Sequence, residues 1–243
     1  MKCLILAAGY ATRLYPLTEN FPKPLLKVGG KPILDWLVED IASSGKVDGF
    51  AVISNGRFAR IFREWAPEGV EVVDDGTFTN ETRLGAVRDI RFAVDSLGLD
   101  DDLLVIAGDN LLDFSLCRFV DYALEKGSSC IMRYYEPDPR KLRRSGVVCV
   151  DEDDRVLSME EKPAEPASHW CCPPFYFYTR DDARLTGEGI EAGCGTDAPG
   201  SFVAWLARRR AVYAMEMPGK RYDIGNLESY KAVCASYQGI VRP

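Results

Sequence analysis

At 243 residues the chain is long enough for one large α/β domain with a generous hydrophobic core. Apolar residues make up 47% and charged residues 28%, the ordinary balance of a soluble globular protein. The formal net charge of −7 argues against nonspecific binding to nucleic acid or acidic membranes, yet it leaves room for a phosphate ligand cradled by local cations and backbone amides.

Apolar runs of strand length alternate with helix-period segments through the first half. Strands are predicted at Lys2–Ala7, Gly49–Ser54, Val70–Val73 and Leu103–Ala107, each followed by a glycine or polar turn. Helices are predicted at Ile33–Ser43, Phe58–Trp65, Leu84–Leu97 and Leu116–Glu125. This alternation predicts an α/β fold with a mostly parallel central sheet and helices on both faces. Ligands of such sheets sit at the carboxyl ends of the strands, where Ala7–Arg13 and Gly108–Asn110 both fall.

After about residue 127 the pattern changes to short strands with short connections. These are expected at Ser128–Arg133, Ser145–Val150, Arg155–Met159 and Pro174–Tyr178, with a hairpin turn at Asp151–Asp154. The glycine-rich stretch Thr186–Gly200 reads as a mobile loop. A strand at Ala211–Met215 then separates helices at Ser201–Arg208 and Leu227–Tyr237. With no internal repeat or low-complexity linker, 1–243 is expected to form a single domain of two halves, 1–127 and 128–243.

No run approaches the roughly 20 apolar residues needed to span a bilayer. The N-terminal apolar stretch stops at Gly9, which is short for a signal peptide, so the expected location is cytoplasmic. The eight cysteines contain no C-x-x-C pair and His169 is the only histidine, which counts against both a zinc site and a disulfide framework. Cys3, Cys130 and Cys149 lie in apolar runs, where free cysteine acts as a small hydrophobe. A vicinal disulfide between Cys171 and Cys172 would be a rare feature.

The chemistry-bearing residues begin at LAAGYATRLYPLTENFPKPLLKVGGKPI, residues 6–33. A strand ends at Gly9, where the backbone can approach a ligand closely and turn amides toward phosphate oxygens. Arg13 can grip phosphate through two parallel hydrogen bonds, whereas Lys23 supplies a point charge on backbone stiffened by Pro22 and Pro24. Two common phosphate motifs do not fit. Ala11 and Leu14 stand where a dinucleotide-binding fingerprint needs glycine, and no Walker A loop is present.

This segment resembles the signature of the sugar-phosphate nucleotidyltransferase superfamily, roughly L-A-G-G-x-G-T-R-L-x-P-L-T followed by P-K-P. The match runs from Leu6 through Thr18 and then Pro22, Lys23 and Pro24, with Ala8 and Ala11 in place of frequent glycines. It extends to LVIAGDN (104–110), to SGVVCVDEDDRVLSMEEKP (145–163), similar to Y-G-V-V…I-x-E-K-P, and to RYDIGNLESY (221–230), similar to W-x-D-I-G-T-x-x-x-Y. Asn226 also has a structural reason to be present, as a helix N-cap.

The resemblance implies a Rossmann-like, mixed but mostly parallel sheet, the nucleotide-diphospho-sugar transferase fold. It further implies Mg²⁺-dependent condensation of a nucleoside triphosphate with a sugar 1-phosphate, releasing pyrophosphate. By that resemblance Ala7, Ala8, Gly9, Thr12, Arg13, Lys23, Gly85 and Gly108 contact the nucleotide, while Asp109 and Asp223 bind the metal. Arg13, Lys23, Asp109 and Asp223 then form the catalytic set, and Gly146, Glu161 and Lys162 take the sugar phosphate. The halves accordingly become a nucleotide-binding half and an acceptor-binding half. No glutamine occurs where thymidylyl- and uridylyltransferases often show one, so the base stays open, with Asn80 and Arg83 as neighbours of Gly85.

Two other readings remain. One is a cytidylyltransferase acting on a phosphocholine-like or phosphonate acceptor, against which the E-K-P segment favours a sugar. The other is a nucleotide-sugar sensor without turnover, against which the paired carboxylates Asp109 and Asp223 count.

Overall fold

The structure, a computed structural model, describes residues 1–241. Its elements begin with β1 (Lys2–Leu6), β2 (Lys27–Val28), β3 (Lys31–Pro32), α1 (Ile33–Ala42), β4 (Gly49–Ser54), α2 (Ala59–Trp65), β5 (Val70–Asp74) and α3 (Ala86–Leu97). Next come β6 (Leu103–Ala107), β7 (Leu111–Leu112), α4 (Cys117–Lys126), β8 (Ser129–Tyr135), α5 (Pro139–Leu142), β9 (Gly146–Val150), β10 (Val156–Glu161), β11 (Trp170–Cys172) and β12 (Phe175–Tyr178). The last are α6 (Arg180–Arg184), α7 (Thr186–Glu191), α8 (Gly200–Leu206), β13 (Val212–Glu216), β14 (Arg221–Tyr222) and α9 (Leu227–Ser236).

Two compact units divide these elements, and each is discontinuous in sequence. The first takes Met1–Arg83, Ala107–Arg118 and the chain from Pro218 onward, whereas the second takes Leu84–Ile106 and Phe119–Met217. This differs from contiguous halves divided at residue 127. The α3–β6 segment goes with the second unit and the C-terminal helix with the first.

In the first unit β1, β4 and β5 run parallel, with Leu4 opposite Ala51 and Val52 opposite Val72. Cys3, Leu4 and Ile5 are fully buried in succession, as expected of a parallel strand covered on both faces. Helix α1 buries Ile33, Leu34, Leu37 and Ile41, the three- and four-residue spacing of one helical face. The C-terminal chain joins this unit in two ways. Strand β14 pairs antiparallel with β7, and α9 adds Val233, with Tyr237 just past its end, to a cluster of Leu14, Leu26, Val28, Ile33, Leu111 and Ile224. Tyr237 and Trp36 meet edge to face at 5.2 Å, and the Tyr237 hydroxyl donates to the Leu112 carbonyl at 2.8 Å.

In the second unit the strands are mixed in direction. Strand β12 lies antiparallel between β6 and β8, β11 lies antiparallel between β8 and β9, β10 pairs with β9, and β13 runs parallel to β8. All four residues of β12, Phe175–Tyr178, are buried, so its aromatic run fills the core on both sides. The stretch Thr186–Gly200 is not the loop that its glycines suggest, because α7 occupies Thr186–Glu191 and Gly200 opens α8. Strand β11 and the short helices α5 and α6 were not apparent from periodicity, since three to five residues are too few to show it.

Asn226 caps α9 by accepting from the Ser229 amide at 2.9 Å, and the Ser229 hydroxyl accepts from the Asn226 amide at 3.0 Å. Asn226→Ala is therefore expected to cost about 1 kcal/mol of stability in a urea titration. Asp75 is 7% exposed; its Oδ1 accepts from the Thr77 amide at 2.7 Å, but its Oδ2 has no hydrogen-bond partner. Burial pushes its pKa up, against the downward pull of the Thr77 hydrogen bonds. The folded state thus holds the Asp75 proton more tightly than the unfolded chain does, and stability falls as pH rises through the raised pKa. Asp75→Asn should melt above the wild type at pH 8, and this gain should shrink toward pH 4.

Candidate active site

The predicted site residues divide between the two units. In the first, β1 delivers Ala7 and Ala8 into the core, where the Ala7 amide donates to Ile53 and the Ala8 carbonyl accepts from Asn55 Nδ2, both at 2.9 Å. The chain emerges at Gly9, which is exposed, and a methyl group added there would meet no protein atom within 4 Å. Internal packing therefore does not require this glycine. Ala11 adopts φ 46°, ψ 40°, the left-handed conformation that glycine occupies most easily. Its carbonyl accepts from the Leu14 amide at 3.0 Å and the Thr18 hydroxyl at 2.8 Å, which hold the turn despite the methyl group. Thr12 and Arg13 lie exposed on the single turn that follows, anchored by buried Leu14.

Lys23 is 8% exposed despite its charge, and its Nζ lies 2.7 Å from Asp109 Oδ2. Its neighbours Pro22 and Pro24 are also buried. Asp109 reaches this partner because of Gly108. The Gly108 amide donates to the Leu6 carbonyl at 2.9 Å, and a Cβ there would come within 2.9 Å of Ile5 Cγ2 and 3.4 Å of Leu34 Cδ1. The Ile5 and Leu34 side chains thus leave little room for a side chain at 108.

The Asp109 carboxylate feels opposing influences. Desolvation disfavours its charge, but the Lys23 ammonium and then the Arg221 guanidinium outweigh that and hold its pKa below the usual carboxylate range. Asn110 is braced beside it, donating to Asp109 Oδ1 at 3.2 Å and accepting from Arg221 Nη1 at 3.0 Å. In the β14–β7 ladder Tyr222 stands opposite Leu111, and Asp223 is the next residue after this strand. Asp223 is exposed, and the next two residues, Ile224 and Gly225, line a cavity of about 300 Å³ together with Ala7, Gly9, Arg13, Lys23 and Asp109. Ala8, Thr12 and Gly108 support this lining from adjacent backbone.

The second unit holds Gly85, Gly146, Glu161 and Lys162. Gly85 precedes α3 at φ 90°, and the Thr196 carbonyl carbon lies 2.9 Å from where its Cβ would be. Glu161 ends β10 opposite Gly146 of β9. A Cβ at Gly146 would sit 3.0 Å from Glu161 Oε1, so the glycine clears space for the carboxylate. Burial pushes the Glu161 pKa up, only partly countered by Lys162 and by a backbone hydrogen bond from Gly200. Lys162 takes a left-handed φ of 50°, and its ammonium lies 3.9 Å from Asp197.

Sequence reasoning passed over Asn110, Arg221, Asp197 and Gly200. The first two sit inside the quoted G-D-N and R-Y-D segments, where their side chains offered a signal; the other two lie in the supposed loop. The eight cysteines are free. Cys171 and Cys172 are consecutive residues of β11, whose side chains alternate between faces. Burial pushes the Cys172 thiol up, away from reactivity. His169 stacks on Tyr135 at 5.4 Å, which is a packing role. Among the described residues there is no group of three potential metal-ligating side chains, and no helix is long and apolar enough to cross a membrane.

Known proteins resemble this chain in sequence and in fold. The family model described as nucleotidyl transferase matches residues 2–239. A glucose-1-phosphate thymidylyltransferase of Streptomyces antibioticus is 32% identical over 184 residues, covering 74% of this chain and 49% of that protein. A UTP–glucose-1-phosphate uridylyltransferase of Haloferax volcanii is 28% identical over 228 residues, covering 93% of this chain and 91% of that one. Several other curated relatives are longer, and the chain spans about half to three-fifths of their length. A crystal structure of UDP-glucose pyrophosphorylase complexed with UDP-glucose superimposes with a TM-score of 0.83 over 97% of both chains, and at 21% identity that likeness is one of fold. The chain belongs to the nucleotidyl transferase family.

Proposed function

We propose that the protein condenses a nucleoside triphosphate with a sugar 1-phosphate, yielding a nucleotide sugar and pyrophosphate. The observation that carries this reading is the convergence of Gly9, Arg13, Lys23 and Asp109 on one cavity, with Ile224 and Gly225, the residues after Asp223, on its wall. Relatives named for glucose-1-phosphate thymidylyl and uridylyl transfer support the choice of acceptor class.

The reaction is an in-line displacement. A bond forms between an oxygen of the sugar phosphate and the α-phosphorus, the α–β bridging bond breaks, and pyrophosphate leaves with the electron pair. A phosphate monoester loses its second proton near pH ~6, so the nucleophile is already ionised at neutral pH and no general base is required. The difficulty lies in bringing anions together, so positioning and charge neutralisation dominate. Gly9 leaves room for phosphate against the loop backbone, Arg13 pairs with phosphate oxygens, and Lys23 supplies a nearly buried positive charge. Ala7, Ala8, Thr12 and Gly108 shape this loop, and Gly85, which precedes α3, is assigned to the nucleotide. Glu161 accepts from sugar hydroxyls beside Gly146, while Lys162 neutralises the sugar phosphate.

Magnesium fits the carboxylates present. Asp109 is kept ionised, Asp223 is exposed, and Mg²⁺ needs only one or two protein carboxylates beside substrate phosphates and water. Bound by Asp109 and Asp223, it would draw negative charge from the triphosphate oxygens.

Pyrophosphate release should be measured for ATP, CTP, GTP, UTP and dTTP against a panel of sugar 1-phosphates and phosphocholine. One triphosphate–sugar phosphate pair is expected to turn over with Mg²⁺ and to stop in EDTA, with Asp109→Asn reducing kcat/KM by about 10²-fold or more. Turnover with phosphocholine alone would move the acceptor outside the sugars. Nucleotide binding without pyrophosphate release from any pair would contradict an enzyme.

A further inference from the structure

The segment Thr196–Gly200, between α7 and α8, is tied to both predicted ligand-binding features of the second unit. At one end, the Thr196 carbonyl accepts from the Val87 amide at 3.0 Å and the Asp197 carbonyl from the Ala86 amide at 3.3 Å. These bonds satisfy two of the free amides at the start of α3, for which no side-chain cap is present. The docking is possible because Gly85 has no side chain, its Cβ position being taken by the Thr196 carbonyl.

At the other end, Gly200 has a φ outside the left-handed region, so its conformation does not demand glycine. Space does. A Cβ at Gly200 would overlap Glu161 Oε1 and the terminal methyl of Met159. The same two atoms crowd the Cβ position of Gly146, at 3.0 and 2.9 Å. The Glu161 carboxylate therefore lies between the bare backbones of Gly146 and Gly200, with the Gly200 amide as its hydrogen-bond donor. Between these ends, Asp197 places its carboxylate 3.9 Å from the Lys162 ammonium. Both of these side chains are more than half exposed, so the pair is weak and can yield to a phosphate dianion.

We propose that Thr196–Gly200 positions the acceptor-binding pair, with Gly200 as the positioning residue that fixes the Glu161 carboxylate and Asp197 as the counter-ion of Lys162 before acceptor binds. This proposal builds on the assignment of Glu161 and Lys162 to the acceptor. A side chain at 200 displaces the end of a flexible glutamate rather than the backbone, so its main effect falls on acceptor binding and not on folding.

The test uses the full chain and the sugar 1-phosphate that turns over fastest in the pyrophosphate assay. Gly200→Ala is expected to raise the KM for that acceptor about 10-fold, with the KM for the triphosphate unchanged. Glu161→Ala should raise the acceptor KM by a similar factor, and adding Gly200→Ala to it should have little further effect, because only the flexible Met159 methyl is then left to displace. An unchanged acceptor KM in Gly200→Ala, equal rises in both KM values, or multiplying effects in the double variant would overturn the proposal. If Gly200→Ala does not fold but the double variant does, the contact is upheld; if neither folds, Gly200 is structural and the proposal fails. An unchanged acceptor KM in Glu161→Ala would instead overturn the acceptor assignment, and the proposal with it.

Discussion

The organisation of the first unit depends on an ion pair between Lys23 and Asp109, residues 86 positions apart. A lysine withdrawn almost wholly from water is costly unless an anion meets it, and Asp109 meets it at 2.7 Å. That distance constrains the surrounding chain. Pro22 and Pro24 are buried on either side of the lysine, and Gly108 leaves room for the Ile5 and Leu34 side chains beside Asp109. The β14–β7 pairing then brings Arg221 to Asn110, the neighbour of Asp109. Since the Lys23 side chain is buried while Asp109 keeps 43% of its own exposed, the pair presents its carboxylate to ligand. In the proposed reaction a triphosphate with a divalent cation would engage both partners by their opposite charges.

The second unit relies on excluded side chains rather than on charge. Glu161 is kept in a desolvated position because Gly146 and Gly200 vacate the space on either side of it. Its raised pKa is the electrostatic consequence of that burial. A carboxylate so confined loses little conformational freedom when it accepts a hydroxyl, which is the benefit of preorganisation. Lys162 stays exposed on left-handed backbone, suited to a more mobile, charged partner.

Much of this could be read from the sequence, for identifiable reasons. The loop from Leu6 to Lys23 and the strand ending in Gly108–Asp109 are contiguous motifs, and contiguity survives without knowledge of the fold. Strand β4 and strand β6 fall on their predicted boundaries because strands buried on both faces are unbroken apolar runs. What was hidden depends on partners distant in sequence. Helix α7, TGEGIE, carries two glycines and has poor intrinsic propensity. Gly189 nonetheless fits there because Phe202 and Trp205 of α8 occupy the space of its missing side chain, at 3.0 and 3.4 Å from the Cβ position. The Asn110–Arg221 hydrogen bond likewise spans 111 residues and follows from a two-residue ladder that no local pattern announces.

In the proposed reaction the Lys23 charge serves the substrate phosphates as well as Asp109. Calorimetric titration of Lys23→Met with the Mg²⁺ complex of the triphosphate that turns over, beside a thermal melt, separates these roles. The expected result is at least a ~10-fold loss of nucleotide affinity, about 1.4 kcal/mol, in a protein that still melts cooperatively. Unchanged affinity in a folded variant would contradict it, and would reduce the pair to a structural tie between two strand ends.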